Sequence, residues 1–200
     1  MIGIMLGDGS LYEKGKGAFV AIFGNSENEK EYMLGYVKPL MKRVLYREPS
    51  VYYHKTAKEI RLQLTRKIDI SKMKALGLKS GNKLKNNIGI PNWIFSNKEF
   101  LRVCIKGLID ADGCVYAKWK YKNIPQIEFY SSIPKLQEDF TKAMHILGFK
   151  ISKWRMRKDG SPVCGIYGKN EALKYFKEVG FNNLKNIKRF SNICPGSIAV

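Results

Sequence analysis

Apolar residues recur at helical spacing over residues 100–109, and this pattern predicts a helix. Near its end, Gly107 and Ala111 stand four residues apart, so they share a helix face that carries almost no side chain. Gly3 and Gly7 repeat this spacing at the start of the chain. Because such a face lets a second backbone approach closely, we expect these two helices, hereafter the motif helices, to pack against each other.

The segments that follow the two motif helices also repeat. In the first half, the spacing of apolar residues predicts strands at 10–12, 18–23, 50–54 and 59–66 and helices at 27–45 and 68–78. In the second half it predicts strands at 113–119, 126–131, 151–157 and 163–168 and helices at 135–147 and 171–179. The repeat indicates a duplicated unit of helix, hairpin, helix, hairpin and helix. We therefore expect an α+β fold with pseudo-two-fold symmetry, with residues 1–96 forming the first repeat and its linker and residues 97–200 the second.

Two features concern the helix predicted at 27–45, and one concerns the start of the chain. Pro39 is expected to kink or split that helix, because proline cannot donate a backbone hydrogen bond. Ser26 and Glu29 resemble a capping box at its beginning. Only two residues precede Gly3, so the sequence leaves open whether the first motif helix is short or continues upstream.

Charge narrows the class of partner. Lysine and arginine outnumber the acidic residues by 36 to 17, which gives a formal net charge of +19. A folded protein with this excess usually binds a polyanion, and nucleic acid is the first candidate. A membrane surface is the alternative, but the chain has no long apolar run and no signal peptide pattern. The four cysteines lack CxxC spacing, so we expect reduced thiols in a cytoplasmic protein and no zinc site. The lysine-rich, isoleucine-rich composition is typical of thermophiles.

Each motif helix ends in an acid followed by a glycine, namely Asp8 and Asp112 with the residue after each. The helix dipole disfavours a negative charge at a helix C-terminus, so these acids are costly unless a cation is expected. Packed motif helices would bring them together as a paired-carboxylate metal site. Oxygen ligands suit Mg²⁺ or Mn²⁺ better than zinc. Asp110 has no acidic counterpart, because Leu6 stands in the first copy, and we expect a structural role for it.

These residues carry a family resemblance. Residues 107–113 read GLIDADG, which resembles the signature of the LAGLIDADG homing endonucleases, and residues 3–9 resemble a degenerate first copy. The resemblance covers nearly the whole chain and points to the monomeric, two-motif, intron-encoded type. It implies two antiparallel sheets that form a DNA-binding saddle, with the motif helices at the axis. It further implies a metal-dependent double-strand break in a long asymmetric DNA target, with Mg²⁺ as the cofactor and Mn²⁺ as a substitute.

The resemblance also implies the residues of the site. Asp8 and Asp112 would be catalytic and bind the metal, with the backbone carbonyls of Gly7 and Ala111 as further ligands. A lysine after the last helix of each repeat would stabilise charge on the phosphate, and Lys83 and Lys185 occupy this place. In so basic a segment Lys85 and Lys188 are the alternatives.

Alternation along the predicted strands assigns a polar face to each sheet. In residues 59–66, apolar residues alternate with polar ones, so one face is core and the other faces outward. Arginine, glutamine and glutamate suit base edges, and lysine suits phosphates. The predicted DNA-binding residues are Arg61, Gln63, Arg66, Lys118, Lys120, Gln126, Glu128, Tyr130, Lys153, Arg155 and Arg157. Trp119, Tyr121 and Trp154 are expected to be packing residues, with base stacking as the alternative.

Three other readings remain. The sheet faces can be ordinary solvated surfaces. An RNA-binding maturase of the same fold would help its host intron to splice, so intron RNA is the alternative partner. A sequence-specific DNA-binding protein that has lost cleavage is the other rival, although the retention of both acids argues against it.

Overall fold

The chain builds two four-stranded antiparallel sheets, one from each half. The computed structural model describes residues 1–15, 17–118 and 123–196. The strands are β1 (Gly9–Lys14), β2 (Gly17–Asn25), β3 (Ser50–Tyr53), β4 (Glu59–Leu64), β5 (Gly113–Ala117), β6 (Pro125–Tyr130), β7 (Arg155–Met156) and β8 (Pro162–Tyr167). The sheet orders are β1-β2-β4-β3 and β5-β6-β8-β7. Because the two orders are equivalent, the predicted duplicated α+β fold is confirmed.

Helices cover the sheets and connect the halves. They are α1 (Ile2–Leu6), α2 (Lys30–Tyr32), α3 (Lys38–Leu45), α4 (Lys67–Ala75), α5 (Lys98–Asp112), α6 (Pro134–Ile146), α7 (Lys169–Glu178) and α8 (Leu184–Ile193), with a 3₁₀ turn at Asn92–Ser96. Within the described ranges, none of them combines the length and the apolar character that a membrane crossing needs.

The sheets bury one face each. On β4 the side chains of Ile60, Leu62 and Leu64 are 0%, 0% and 3% exposed, whereas Arg61 and Gln63 between them lie on the opposite face. The predicted alternation in this strand is therefore confirmed. In the second sheet, Ile127 and Phe129 of β6 face the core in the same way.

The motif helices, α1 and α5, pack through their glycines, as predicted. A Cβ atom placed on Gly3 would lie 2.0 Å from the carbonyl oxygen of Cys104, and one placed on Gly107 would lie 2.9 Å from the backbone nitrogen of Ile4. Real Cβ atoms do not approach other atoms this closely, so only glycine permits the observed spacing of the two backbones.

The helix that follows β2 differs in detail from its prediction. It is split as expected, because the five residues Met33–Val37 are π-helical and lead directly into α3, which contains Pro39. The cap was assigned to the wrong residue. Asn25, rather than Ser26, accepts the first free backbone N–H groups, from Glu27 and Asn28 at 2.9 Å each. Glu29 in turn accepts the N–H of Asn25 at 2.9 Å.

Some predicted strands are shorter in the structure. β4 ends at Leu64, so Arg66 lies beyond the strand, at the residue before α4, contrary to its assignment to the strand face. Residues 151–154 form no strand, which places Lys153 outside the second sheet. Trp154 instead packs against Phe129 and Phe140. The predicted residues Trp119, Lys120 and Tyr121 lie outside the described residues.

The packing of the motif helices predicts a large effect of Gly3→Ala. The added methyl group meets the Cys104 carbonyl, so the two backbones must separate, and we expect a loss of about 3 kcal/mol in the free energy of unfolding. Gly35→Ala is the matched control, because nothing lies within 4 Å of its Cβ position. There we expect no loss, or a gain of about 0.5–1 kcal/mol from helix propensity. Equal unfolding midpoints in urea for the two variants would contradict the close packing.

Candidate active site at the ends of the motif helices

The acids that end the two motif helices lie together. A Cβ atom placed on Gly7 would be 2.5 Å from the Cβ of Ala111 and 3.0 Å from a carboxylate oxygen of Asp112, so the two helix ends are in direct contact. Asp8 follows Gly7 in the chain, close enough to Asp112 for the two negative charges to repel each other. Each of these acids ends one copy of the repeated sequence motif, and in the structure both lie at the same end of the helix pair.

Burial makes this acid pair hard to ionise. It raises the pKa of Asp8 to about 7, with repulsion from Asp112 adding to the effect. Burial also raises the pKa of Asp112 to about 6, although the nearby Lys83 opposes the shift. Carboxylates so perturbed are a common feature of functional sites, because a buried negative charge is stable only when a cation offsets it.

Lys83 supplies one such cation. Its ammonium group donates to the carbonyl of Leu6 at 3.0 Å and also to the carbonyl of Gly7. Burial lowers the pKa of Lys83, whereas Asp112 and Asp8 favour its charged form. Lys83 therefore lies at the acid pair, as its predicted role requires. Lys83 therefore donates to the same Gly7 carbonyl oxygen that the sequence analysis predicts as a metal ligand. Lys85, the alternative, is exposed.

Lys185 approaches the same region from the second half and is held differently. It donates to Glu29 at 2.6 Å, and Glu29 also accepts from the side chain of Asn183 at 2.9 Å. Glu29 belongs to the first half, so this contact crosses between the halves. Burial opposes the charge on Glu29, but the bonds from Lys185 and Asn25 outweigh it and lower the pKa of Glu29. Lys188 is exposed.

Glu29 and Asn183 are residues that the sequence analysis missed as part of this site. Glu29 was read only as a helix cap, which it also is. Its contact with Lys185 joins residues 156 positions apart. No local pattern carries such a signal. The only hint was that Glu29 lies near the predicted start of a helix, where polar side chains are expected anyway.

Asp110 has structural contacts. It is fully buried and accepts the backbone N–H groups of Asn182 at 2.9 Å and Asn183 at 3.1 Å. The side chain of Asn183 returns a bond to the Asp110 carbonyl at 3.1 Å. These contacts fix the segment before α8 against the second motif helix. They explain why an acid is needed here without a counterpart at Leu6.

The outward face of the first sheet carries polar groups that the protein leaves unsatisfied. Arg61 lies over the ring of Tyr52, 5.0 Å from its centroid. The Nε of Arg61 and the Oε1 of Gln63 are buried and have no hydrogen-bond partner among the described residues. Buried polar groups without partners are uncommon in native proteins, and five other side-chain atoms of the described residues share this state.

The second sheet corrects part of the predicted DNA-binding face. Gln126 and Glu128 were expected to point freely outward, but their side chains are only 5% and 2% exposed. Glu128 is covered because it accepts hydrogen bonds from Tyr130, Tyr167 and Arg155. The remaining predicted positions are more accessible. Exposed side chains are found at Lys118, Lys153, Arg155 and Arg157.

Burial raises the pKa of both Asp112 and Asp110 to about 6, but their different contacts predict opposite effects of their substitution in metal-free protein at pH 8. The folded state binds the Asp112 proton more tightly than the unfolded state, whose pKa is near 3.8, so ionisation costs stability as the pH rises from about 4 through 6. Asp112→Asn should therefore raise the free energy of unfolding by roughly 2 kcal/mol at pH 8 and have little effect at pH 4.

Asp110→Asn is the matched comparison for that measurement. Burial raises the pKa of Asp110 as well, but an asparagine side chain has only one acceptor oxygen for the two backbone N–H groups that Asp110 binds. We therefore expect a net loss of about 1–3 kcal/mol at pH 8. Urea unfolding in EDTA at both pH values distinguishes the two acids. A stability loss for Asp112→Asn equal to that for Asp110→Asn would contradict the distinction drawn between them.

A family model matches part of this chain in sequence, and known structures match nearly all of it in fold. Residues 99–180 match the family model of the LAGLIDADG-like domain. I-DmoI in complex with DNA and Mn superimposes with a TM-score of 0.62 at 18% identity, covering 90% of this chain and 93% of that one. The LAGLIDADG homing endonuclease I-LtrWI, bound to target DNA, gives 0.58 at 14% identity over 96% and 87% of the two chains.

The LAGLIDADG meganuclease I-AabMI, bound to uncleaved DNA, gives a TM-score of 0.62 at 12% identity and covers 98% of this chain and 88% of that one. No curated protein sequence matches the chain. Residues 99–180 are thus similar to the LAGLIDADG-like domain, and the chain as a whole has the fold of the LAGLIDADG homing endonucleases.

Proposed function

We propose that this protein is a site-specific DNA endonuclease that makes a double-strand break by metal-dependent hydrolysis at a long, asymmetric target. The observation that carries the proposal is the meeting of Asp8 and Asp112 between the two sheets. The net charge of +19 supports a polyanionic partner. DNA is the partner in the structures of I-DmoI, I-LtrWI and I-AabMI that share this fold.

The acid pair fits a divalent cation. Two desolvated carboxylates with raised pKa values offer hard oxygen ligands and a negative charge that needs compensation, which suits Mg²⁺ or Mn²⁺. The described residues contain no cluster of three or more His, Cys, Asp or Glu side chains. A cation would therefore depend on Asp8, Asp112, water and backbone carbonyls such as those of Gly7 and Ala111. Structures of I-DmoI were determined in complex with DNA and Mn and with DNA and Ca, and that of a variant with its target DNA in the presence of Mg.

A bound divalent cation would neutralise charge on the phosphate and lower the pKa of a water molecule. The protein's own residues would bind the cation and the phosphate at the ends of the motif helices. Asp8 and Asp112 would each serve one strand of the DNA. Lys83 already offsets their charge, and the Gly7 carbonyl becomes available to another cation when Lys83 releases it. A released ammonium group beside the acids is suited to stabilise negative charge that develops on a phosphate. Lys185, held by Glu29, would take the corresponding place in the second half.

The two sheets would bind the two halves of the target. In this proposal residues 1–96 and 97–200 act as one pseudo-symmetric monomer whose sheets form a saddle over the DNA. Arg61 and Gln63 would read bases, because their unsatisfied buried atoms need partners. Lysine and arginine side chains at the sheet margins would contact phosphates.

Asp112→Asn should abolish cleavage without abolishing DNA binding. Loss of one carboxylate removes a metal ligand, so we expect the rate of linearising a plasmid target in Mg²⁺ to fall by about 10³-fold or more. Affinity in Ca²⁺, measured by fluorescence anisotropy, should stay within a few-fold, because the substitution lies away from the sheet faces. Glu138→Gln, which changes an exposed acid on α6, is the control and should cleave normally.

That assay also separates the rival functions. A wild-type protein that binds the DNA but leaves both strands intact in Mg²⁺ and Mn²⁺ would indicate a silent DNA-binding protein. Tight binding of the host intron RNA in preference to the DNA target would indicate a maturase. Undiminished cleavage by Asp112→Asn would overturn the proposed metal site.

DNA affinity should fall steeply with salt. Each phosphate neutralised by a lysine or arginine releases counterions, so a plot of log K against log salt concentration should have a slope of about −5 or steeper between 50 and 200 mM. Anisotropy titrations at four salt concentrations would measure it. A flat dependence would argue against a phosphate-binding surface of the size that the fold implies.

A further inference from the structure

The outer face of the second sheet is built around a buried carboxylate. Glu128 lies on β6, the strand between β5 and β8, with only 2% of its surface exposed. It accepts hydrogen bonds from the hydroxyl groups of Tyr130 and Tyr167, both at 2.6 Å, and from Nη2 of Arg155 at 2.7 Å. Tyr116 also favours its charged form. Burial opposes the charge, but these bonds outweigh it and hold the pKa of Glu128 below its usual value.

A glycine makes room for this arrangement. Gly165 is directly opposite Glu128 in the β6–β8 ladder, and a Cβ atom there would lie 3.0 Å from Cγ of Glu128 and 3.2 Å from Cζ of Tyr167. Cations border the same face. Lys118 lies 5.8 Å from the ring centroid of Tyr167, and Arg157 lies 5.3 Å from that of Tyr130. Glu128, its three tyrosines and Arg155 are called the Glu128 platform below.

The corresponding place in the first sheet has a different chemistry. Gly9 pairs with Ile22 as Gly113 pairs with Phe129, so Ala21 is the counterpart of Glu128. Ala21 pairs with Gln63, whose Oε1 is one of the buried unsatisfied atoms within the described ranges. Gln63 of the first sheet therefore has a polar atom without a partner among the described residues at this place, as Gln126 has two residues from Glu128 in the second sheet. In the second sheet, the carboxylate already has its partners within the protein.

Arg155 is the member of the platform that can reach DNA. Nη2 donates to both Glu128 and the Tyr167 hydroxyl, the latter at 3.2 Å, so one edge of the guanidinium is fixed. The side chain nevertheless remains 48% exposed. An arginine whose orientation is fixed beforehand loses less conformational entropy on binding, and its guanidinium suits the O6 and N7 atoms of guanine.

We propose that Glu128 is a specificity-determining positioning residue, which contacts no base itself but holds Arg155 to read a guanine in one half of the DNA target. This inference rests on the proposed DNA-binding function. Its consequence is unusual for a residue on a DNA-binding face. Removal of the negative charge leaves the protein more cationic and frees Arg155 to contact phosphates, so total affinity is retained while sequence preference is lost.

The test is a binding selection on a randomised DNA library in Ca²⁺, which requires no cleavage. Glu128→Gln and Arg155→Lys should both lose the preference for the same guanine, by about tenfold in relative affinity. The affinity of each for random DNA should stay within about twofold of wild type. Gln63→Ala is the mirror control, since it should lose preference in the other half of the site. If Glu128→Gln does not fold, Tyr167→Phe tests the same point, because it keeps the ring and removes one hydroxyl from the platform.

The outcomes are distinct. A wild-type protein that enriches no sequence overturns the proposed function and this inference with it. A wild-type protein that enriches a site which Glu128→Gln or Tyr167→Phe enriches unchanged overturns this inference alone. A loss of preference spread over both halves, with a lowered melting temperature, also overturns it, because it would show that Glu128 only stabilises the fold.

Discussion

The structure depends on the backbone contact between the two motif helices. Gly3 and Gly107 remove the side chains that would hold the helices apart, and their Cβ positions would lie 2.0 Å and 2.9 Å from the facing backbone. The contact fixes how the halves are placed, because each motif helix leads directly into the first strand of its own sheet. It also fixes where Asp8 and Asp112 meet. A single packing constraint thus determines both the sheet arrangement and the acid pair.

The acid pair lowers the free energy of unfolding that this packing provides. Burial raises the pKa values of both acids, and repulsion from Asp112 adds to the shift of Asp8. Lys83, which donates to the carbonyls at the end of the first motif helix, offsets only part of that cost. Native proteins are stable by only about 5–15 kcal/mol, so such groups persist where they serve a function. Burial raises the pKa of Asp110, two residues away, to about 6 as well, but there two backbone N–H groups bind the carboxylate oxygens and give the acid a structural role.

Local patterns predicted the fold because periodicity and repetition are local properties. The alternation in β4, the glycine faces and the paired acids were all visible in sequence. The contacts that cross the molecule were not. Glu29 and Lys185 are far apart in the chain, and alternation placed Glu128 on the correct face without showing that tyrosines of β6 and β8 cover it. Strand ends also escaped prediction, as at Arg66, because hydrogen-bond register decides where pairing stops.

Duplication within one chain explains why the differences between the halves lie where they do. A dimer of identical subunits must present identical surfaces, which ties it to a symmetric partner. Here Leu6 of the first half corresponds to Asp110 of the second, and Ala21 corresponds to Glu128. Lys83 donates to backbone carbonyls, whereas Lys185 pairs with Glu29. The glycine contact and the terminal acids are retained in both copies, whereas the sheet faces and lysine partners diverge. What the halves share is the part that must meet at the axis, and what differs is the part that would touch unlike halves of a target.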